Sequence, residues 1–124
     1  MTDSAVATDA PVLTERRGNV LLITLNRPEV RNAVNAALAA GVAAALDELD
    51  ADDELAAGVL TGTGGFFSAG MDLGAFAKGE SAWFGERGFA GITQRASAKP
   101  LIAAIAGFAL AGGMEIALSC DLIV

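Results

Sequence analysis

The chain has 124 residues, 53 % of them hydrophobic, a formal net charge of −7, one cysteine (Cys120) and no histidine. That length suits one domain with a modest core, the apolar content excludes a disordered chain, and the acidity argues against nucleic acid as the main partner. A lone cysteine excludes an internal disulfide framework and fits a reducing, cytoplasmic setting; the missing histidine excludes Ser–His or Cys–His nucleophiles and histidine metal sites within the chain. Residues 1–11 have no charged-then-apolar leader pattern and read as a flexible tail of small and acidic residues, ahead of a core domain at 12–124.

Val12 to Arg17 and Asn19 to Leu25 read as strands around a Gly18-Asn19 hairpin turn. Val20 to Leu25 is mostly apolar, which predicts burial on both faces. Asn26 to Asn32, interrupted by Pro28, reads as a loop. Asn35 suits the N-cap of a helix from Ala36 to about Leu49, with Leu38, Val42, Ala45, Leu46 and Leu49 on one face. Asp50 to Glu54 predicts a solvated acidic turn; it follows a helix C-terminus, where negative charge is unfavourable, and carries no assigned function. Leu55 to Thr61 predicts another strand.

A glycine-rich stretch follows, Leu60 to Gly74. Gly62 and Gly64 match the first glycines of a dinucleotide fingerprint, but Phe67 stands where the third small residue belongs, and no Gly-Lys-Ser/Thr follows for a phosphate loop. A tight turn accounts for Gly62, Gly64 and Gly65. Gly70, before a helix start at Asp72, suits close backbone approach to a ligand, with the Met71 N–H left free to point into a cleft. Residues 75–98 read as a glycine-interrupted loop. Its aromatics Trp83, Phe84 and Phe89 either anchor it or line a pocket, and a helix is predicted near Phe89 to Ser97.

The last quarter opens with Leu101 to Ala106, a short apolar run that reads as a buried strand, broken by Gly107. A helix beginning near Gly112 then aims free N–H groups and its dipole at one point. Glu115 falls in its first turn. It either carries protons there or complements the dipole and caps the helix. A charge flanked by Met114 and Ile116 is expensive to bury without a partner, which favours the functional reading. Residues 101–118 approach the length of a membrane span, but Glu115 and three glycines interrupt them, and flanking basic asymmetry is missing.

Three ordered motifs resemble the N-terminal half of the crotonase superfamily, the enoyl-CoA hydratase/isomerase proteins. They are Ile23-Thr-Leu-Asn-Arg-Pro28 with Arg31-Asn32-Ala33, then Phe67-Ser-Ala-Gly-Met-Asp-Leu73, then Ile102-Ala-Ala-Ile-Ala-Gly107 with Ala111-Gly-Gly-Met-Glu115. The likeness covers Val12 to Val124, and within the superfamily it leans toward carnitinyl-CoA dehydratases. It implies an α/β fold, the crotonase-like ββα spiral (ClpP/crotonase fold), in its N-terminal part only.

The resemblance also implies roles. The N–H groups of Met71 and Gly112 would form an oxyanion hole for a thioester carbonyl, and Glu115 would match the first of two catalytic glutamates. Arg31, Ala33, Ala69, Gly70, Asp72 and Leu73 would lie along the coenzyme A site. The implied reaction is hydration of a 2-enoyl-CoA, with isomerase, dehydratase or hydrolase as variants, and no metal or cofactor beyond the coenzyme A of the substrate. A non-catalytic acyl-CoA-binding subunit is the alternative. No nucleic acid or membrane partner is implied. The family's second glutamate and the region that builds a homotrimer or dimer of trimers lie beyond the matched half, so the chain reads as a truncated part. Position 111 is alanine where many family members have glycine, a departure that looks harmless because Gly112 carries the donor.

Overall fold

Val12–Arg17 (β1) and Val20–Leu25 (β2) pair as the expected hairpin, from Val12 opposite Leu25 to Arg17 opposite Val20. The computed structural model describes residues 9–96 and 98–124. The expected tail therefore lies outside the described residues over 1–8. Its end is held: Asn26 donates to the Pro11 carbonyl through N at 2.7 Å and to the Ala10 carbonyl through Nδ2 at 2.9 Å. β2 continues in parallel to β3 (Ala57–Gly62), then β4 (Leu101–Ala103) and β5 (Leu122–Ile123), giving a five-stranded sheet in sequence order.

Burial in β2 corrects the two-sided expectation. Leu21, Ile23 and Leu25 are fully buried, while Val20, Leu22 and Thr24 are only half-buried. The strand alternates as one face enters the core and the other is partly covered. The core face joins the helix α1 (Ala36–Ala51), whose Leu38, Val42, Ala45, Leu46 and Leu49 are all buried in one cluster with it. Asn35 caps α1 by accepting the Leu38 N–H at 2.9 Å. At the other end the acidic turn is not simply solvated. Lys99 Nζ donates to the Leu49 and Asp52 carbonyls at 2.7 and 2.6 Å, and Arg16 pairs with Glu48 and Asp52. Cations there offset both the acidic cluster and the negative helix end.

After each of β2, β3 and β4 the chain makes a second, short extended segment and then a helix. Val34 precedes α1; Ser68 to Met71 precede α2 (Leu73–Ala77); Ala109 precedes α3 (Gly112–Leu118). These segments pair in parallel with one another, Val34 with Met71 and Ser68 with Ala109. The result is a ββα unit repeated three times, with the helix starts stacked along one line. This is the α/β architecture that the motifs imply.

A buried polar knot holds the extended segments together. Asn32, 0 % exposed and left-handed at φ 56°, donates through Nδ2 to the Thr63 and Phe67 carbonyls at 3.0 and 2.9 Å. Its Oδ1 accepts the Arg27 N–H at 2.8 Å. Ser68, also fully buried, donates through Oγ to the Asn32 carbonyl at 2.8 Å and accepts the Gly70 N–H at 3.1 Å. Replacing Asn32 by alanine leaves the Thr63 and Phe67 carbonyls and the Arg27 N–H without this partner, and keeps a left-handed residue without the side-chain bonds that support it. Asn32→Ala is expected to cost about 2–4 kcal/mol in a urea unfolding titration; a loss under about 1 kcal/mol would remove the knot from the list of major stabilisers.

Candidate functional site

The second repeat delivers the first donor. Gly70 lies at φ 103°, and a β-carbon there would stand 2.9 Å from the Gly112 nitrogen. Gly70 thus approaches the Gly112 backbone closely. The Gly70 carbonyl accepts the Val34 N–H at 2.8 Å. In a trans peptide the N–H points opposite to the carbonyl of the same unit, so this bond turns the Met71 N–H away from Val34. Among the described residues, the Met71 N–H donates to no acceptor.

The third repeat delivers the second donor by the same logic. The Ala111 carbonyl accepts the Met114 and Glu115 N–H groups at 3.0 and 3.2 Å, so the Gly112 N–H points out of the helix start. It too lacks an acceptor among the described residues. Asn35 and Asp72 cap α1 and α2 with side-chain oxygens, but Ala111 provides none for α3, and Glu115 does not fold back to cap it. The capping reading of Glu115 is therefore not realised.

Ala111 corrects the view that its departure is harmless. It sits at φ 48°, ψ −116°, and the Gly113 N–H bonds the Leu110 carbonyl at 2.7 Å. This is the first central position of a type II′ turn, where glycine is preferred and an L side chain is strained. The strain lies one bond from the Gly112 donor.

Both residues line a cleft of about 330 Å³. Ala69, Met71 and Leu73 line it from the second repeat, Ala111, Gly112 and Glu115 from the third, and Trp83 and Phe89 from the intervening loop. The aromatics both anchor and line: their rings meet edge to face at 5.1 Å. A β-carbon on Gly112 would come within 2.5 Å of Phe89 Cζ, so only glycine fits beneath that ring. The helix expected at Phe89 to Ser97 is absent over the described residues, with Ser97 outside them. Positive φ at Gly88, Ala90 and Gly91 prevents right-handed winding, and Thr93 Oγ1 takes the Phe89 N–H at 2.9 Å. Arg87–Asp47 at 2.8 Å and Arg95–Asp50 tie this loop to α1.

Glu115 is exposed at the cleft wall, so the burial cost weighed for a charge between Met114 and Ile116 does not arise. Those neighbours point elsewhere because a helix turns 100° per residue: Ile116 enters the core and Met114 faces out. The Glu115 carboxylate has no hydrogen bond or ion pair among the described residues. Arg31, Ala33, Gly70 and Asp72 do not line the cleft. Arg31 is exposed and Ala33 buried, on the edge of the 68–72 segment where Ala69 N–H bonds the Arg31 carbonyl at 3.0 Å. Asp72 accepts the Ala75 N–H at 3.0 Å and pairs with Arg27 at 3.0 Å. The Ala75 bond, with Arg27 adding to it, holds the Asp72 carboxyl below its usual value of 3.8. Burial and the nearby Asp121 push the Cys120 thiol up to about 11, so it stays protonated at neutral pH and is no nucleophile.

Reading along the chain did not assign Arg27, Asn32 and Ser68 a part in this arrangement. The available signal was Asn32 itself, an asparagine in a loop beside Pro28, where a left-handed residue with a bonding side chain is common.

The sequence model of the enoyl-CoA hydratase/isomerase family matches residues 15–124. The chain is 40 % identical to the enoyl-CoA hydratase EchA19 of Mycobacterium tuberculosis over 126 aligned positions, covering 96 % of this chain and 47 % of that protein. It is 46 % identical to a carnitinyl-CoA dehydratase of Salmonella enteritidis over 113 positions, covering 88 % and 43 %. The crystal structure of the enoyl-CoA hydratase EchA1 from Mycobacterium marinum superposes with a TM-score of 0.90 at 56 % identity, covering 93 % of this chain and 45 % of that one. The chain thus spans a little under half the length of the relatives it matches.

Two outcomes follow from the local geometry. Ala111→Gly relieves the turn and is expected to raise the unfolding free energy by about 1 kcal/mol in denaturant titrations; a loss of stability would show that the methyl packs more than it strains. Because its folded-state pKa is lowered, Asp72 contributes stability that is present above the ordinary carboxyl range and lost as pH falls through the folded value. Asp72→Asn should therefore flatten the acid limb of a stability-against-pH curve, and an unchanged limb would assign the acid sensitivity elsewhere.

Proposed function

The chain belongs to the enoyl-CoA hydratase/isomerase family, and from that premise we propose that it carries half of an acyl-CoA thioester site, with hydration of a 2-enoyl-CoA as the reaction. The observation that carries this reading is that Met71 and Gly112, whose N–H groups have no acceptor among the described residues, line one cleft with Glu115, whose carboxylate has no partner among them. Addition of water to C3 of an enoyl thioester sends an electron pair to the carbonyl oxygen. Two amides already aimed at that oxygen stabilise the enolate without reorganising, and one such donor is typically worth about 3 kcal/mol of barrier. Glu115, exposed to the cleft and unpaired, takes a proton from the water or returns one to C2. The apolar wall of Leu73, Trp83 and Phe89 suits the acyl chain and keeps bulk water from the intermediate.

The relatives' names support both directions of this chemistry. Hydration and dehydration of a 3-hydroxyacyl thioester pass through the same enolate, so the likeness to a carnitinyl-CoA dehydratase is consistent with one site. A second reading, thioester binding without turnover, is favoured by one observation: among the described residues, Glu115 is the only carboxylate on the cleft wall. A cytoplasmic, trimeric protein completes the proposal; among the described residues no helix is long and apolar enough to cross a membrane.

The test is hydration of crotonyl-CoA followed by loss of enoyl absorbance, with calorimetric binding in parallel. Glu115→Gln is expected to lower turnover on the order of 10²–10⁴-fold while binding is retained. Binding without turnover in the natural protein would favour the second reading, and failure to bind any acyl-CoA would end both.

A further inference from the structure

The Met71 N–H owes its direction to the last two bonds of a short ladder between residues 31–34 and 69–72: after Ala69 N–H to the Arg31 carbonyl at 3.0 Å come Val34 N–H to the Gly70 carbonyl at 2.8 Å and Asp72 N–H to the Val34 carbonyl at 2.9 Å. Beyond Asp72 no further backbone bond joins these two segments among the described residues, so the ladder's end is its least restrained part. A side chain spans the ladder at both ends. Arg27 Nη1 donates to the Ala33 carbonyl at 2.6 Å and to Asp72 Oδ2 at 3.0 Å. One nitrogen thus joins the residue before Val34 to the residue after Met71. The two side chains are 17 % and 18 % exposed, so the pair is largely shielded from water. The other Asp72 oxygen is committed to the Ala75 N–H, which fixes the carboxylate plane. Arg27 is itself held from behind, since its backbone N–H bonds the buried Asn32. Neither Arg27 nor Asp72 reaches the cleft, and the Gly112 donor does not depend on them, being set by the turn at Ala111.

We propose that Arg27 is a positioning residue: its bridge from the Ala33 carbonyl to Asp72 aims the Met71 N–H at the cleft. This rests on the reading of the site as a thioester site, where a donor must lie within about 2.7–3.1 Å of the developing oxyanion. Loss of the bridge lets the 70–72 segment tilt while the ladder, the α2 cap and the apolar wall persist. Substrate affinity is then largely kept and the charge-stabilising step suffers, because small misplacements of a donor are felt most in the transition state.

The experiment is an infrared difference spectrum of crotonyl-CoA, carbon-13 labelled at the carbonyl, bound to the protein at its natural length. In the wild type the carbonyl stretch is expected below that of free ligand, because two N–H groups polarise the bond. In Arg27→Gln it should return partway toward the free value, with kcat lowered on the order of 10- to 100-fold and KM changed far less. Arg27→Lys, which keeps a cation with several donors, should recover part of both. Should Arg27→Gln not fold, Asp72→Asn carries the test, since it can keep the Ala75 cap while losing the charge that Arg27 holds. Folded variants with the wild-type carbonyl frequency and kcat would overturn the positioning role and leave the site reading intact. A wild-type complex with no carbonyl shift, or no complex at all, would instead overturn the site reading and this inference with it.

Discussion

The carboxamide of Asn32 reaches the Thr63 and Phe67 carbonyls with its nitrogen and the Arg27 N–H with its oxygen, all without water. It ties the crossover after β2 to the crossover after β3. The Ser68 hydroxyl extends the tie to the Asn32 carbonyl and the Gly70 N–H. Every group in the knot is satisfied, which is what allows polar atoms to be fully buried. Without it, the extended segments that precede the helices would have two or three backbone bonds per pair to hold them side by side. The cleft is the consequence of that register: the 68–72 segment lies between Val34 on one edge and Ala109 on the other, and Gly70 meets the Gly112 backbone directly.

The site draws on an asymmetry among the three repeats. In the first two, a side chain satisfies the helix start, Asn35 for α1 and Asp72 for α2. In the third, no side chain does, and the turn before the helix runs through a positive φ on an alanine. An uncapped, strained helix start is a local cost. Here it coincides with an N–H that has no acceptor among the described residues, in a residue that lines one cleft with Met71 of the neighbouring repeat. The aromatic loop closes the arrangement by laying Phe89 over Gly112, and its ion pairs to Asp47 and Asp50 place it from the far side of α1.

Glu115 illustrates how sequence neighbours mislead. Met114 and Ile116 flank it in the chain, yet on the helix they face other directions, and the carboxylate stands at the cleft wall with no hydrogen bond or ion pair among the described residues. Gly70 shows a related point. Its freedom from a β-carbon is used, but by the Gly112 backbone.

Periodicity and capping chemistry are local, and they were legible. The β1–β2 hairpin, α1 with its Asn35 cap and buried face, and the helix starts at Asp72 and Gly112 all follow from residues within a few positions of each other. The motifs also pointed to Met71, Gly112 and Glu115, because glycine pairs before a helix are a local signature. What the chain could not show one residue at a time was pairing across 30 to 45 positions: Asn32 with Phe67, Arg27 with Asp72, Arg95 with Asp50. Direction was hidden too. Whether an amide is free depends on which distant N–H its own peptide carbonyl has already accepted, and only the folded chain brings Val34 to Gly70.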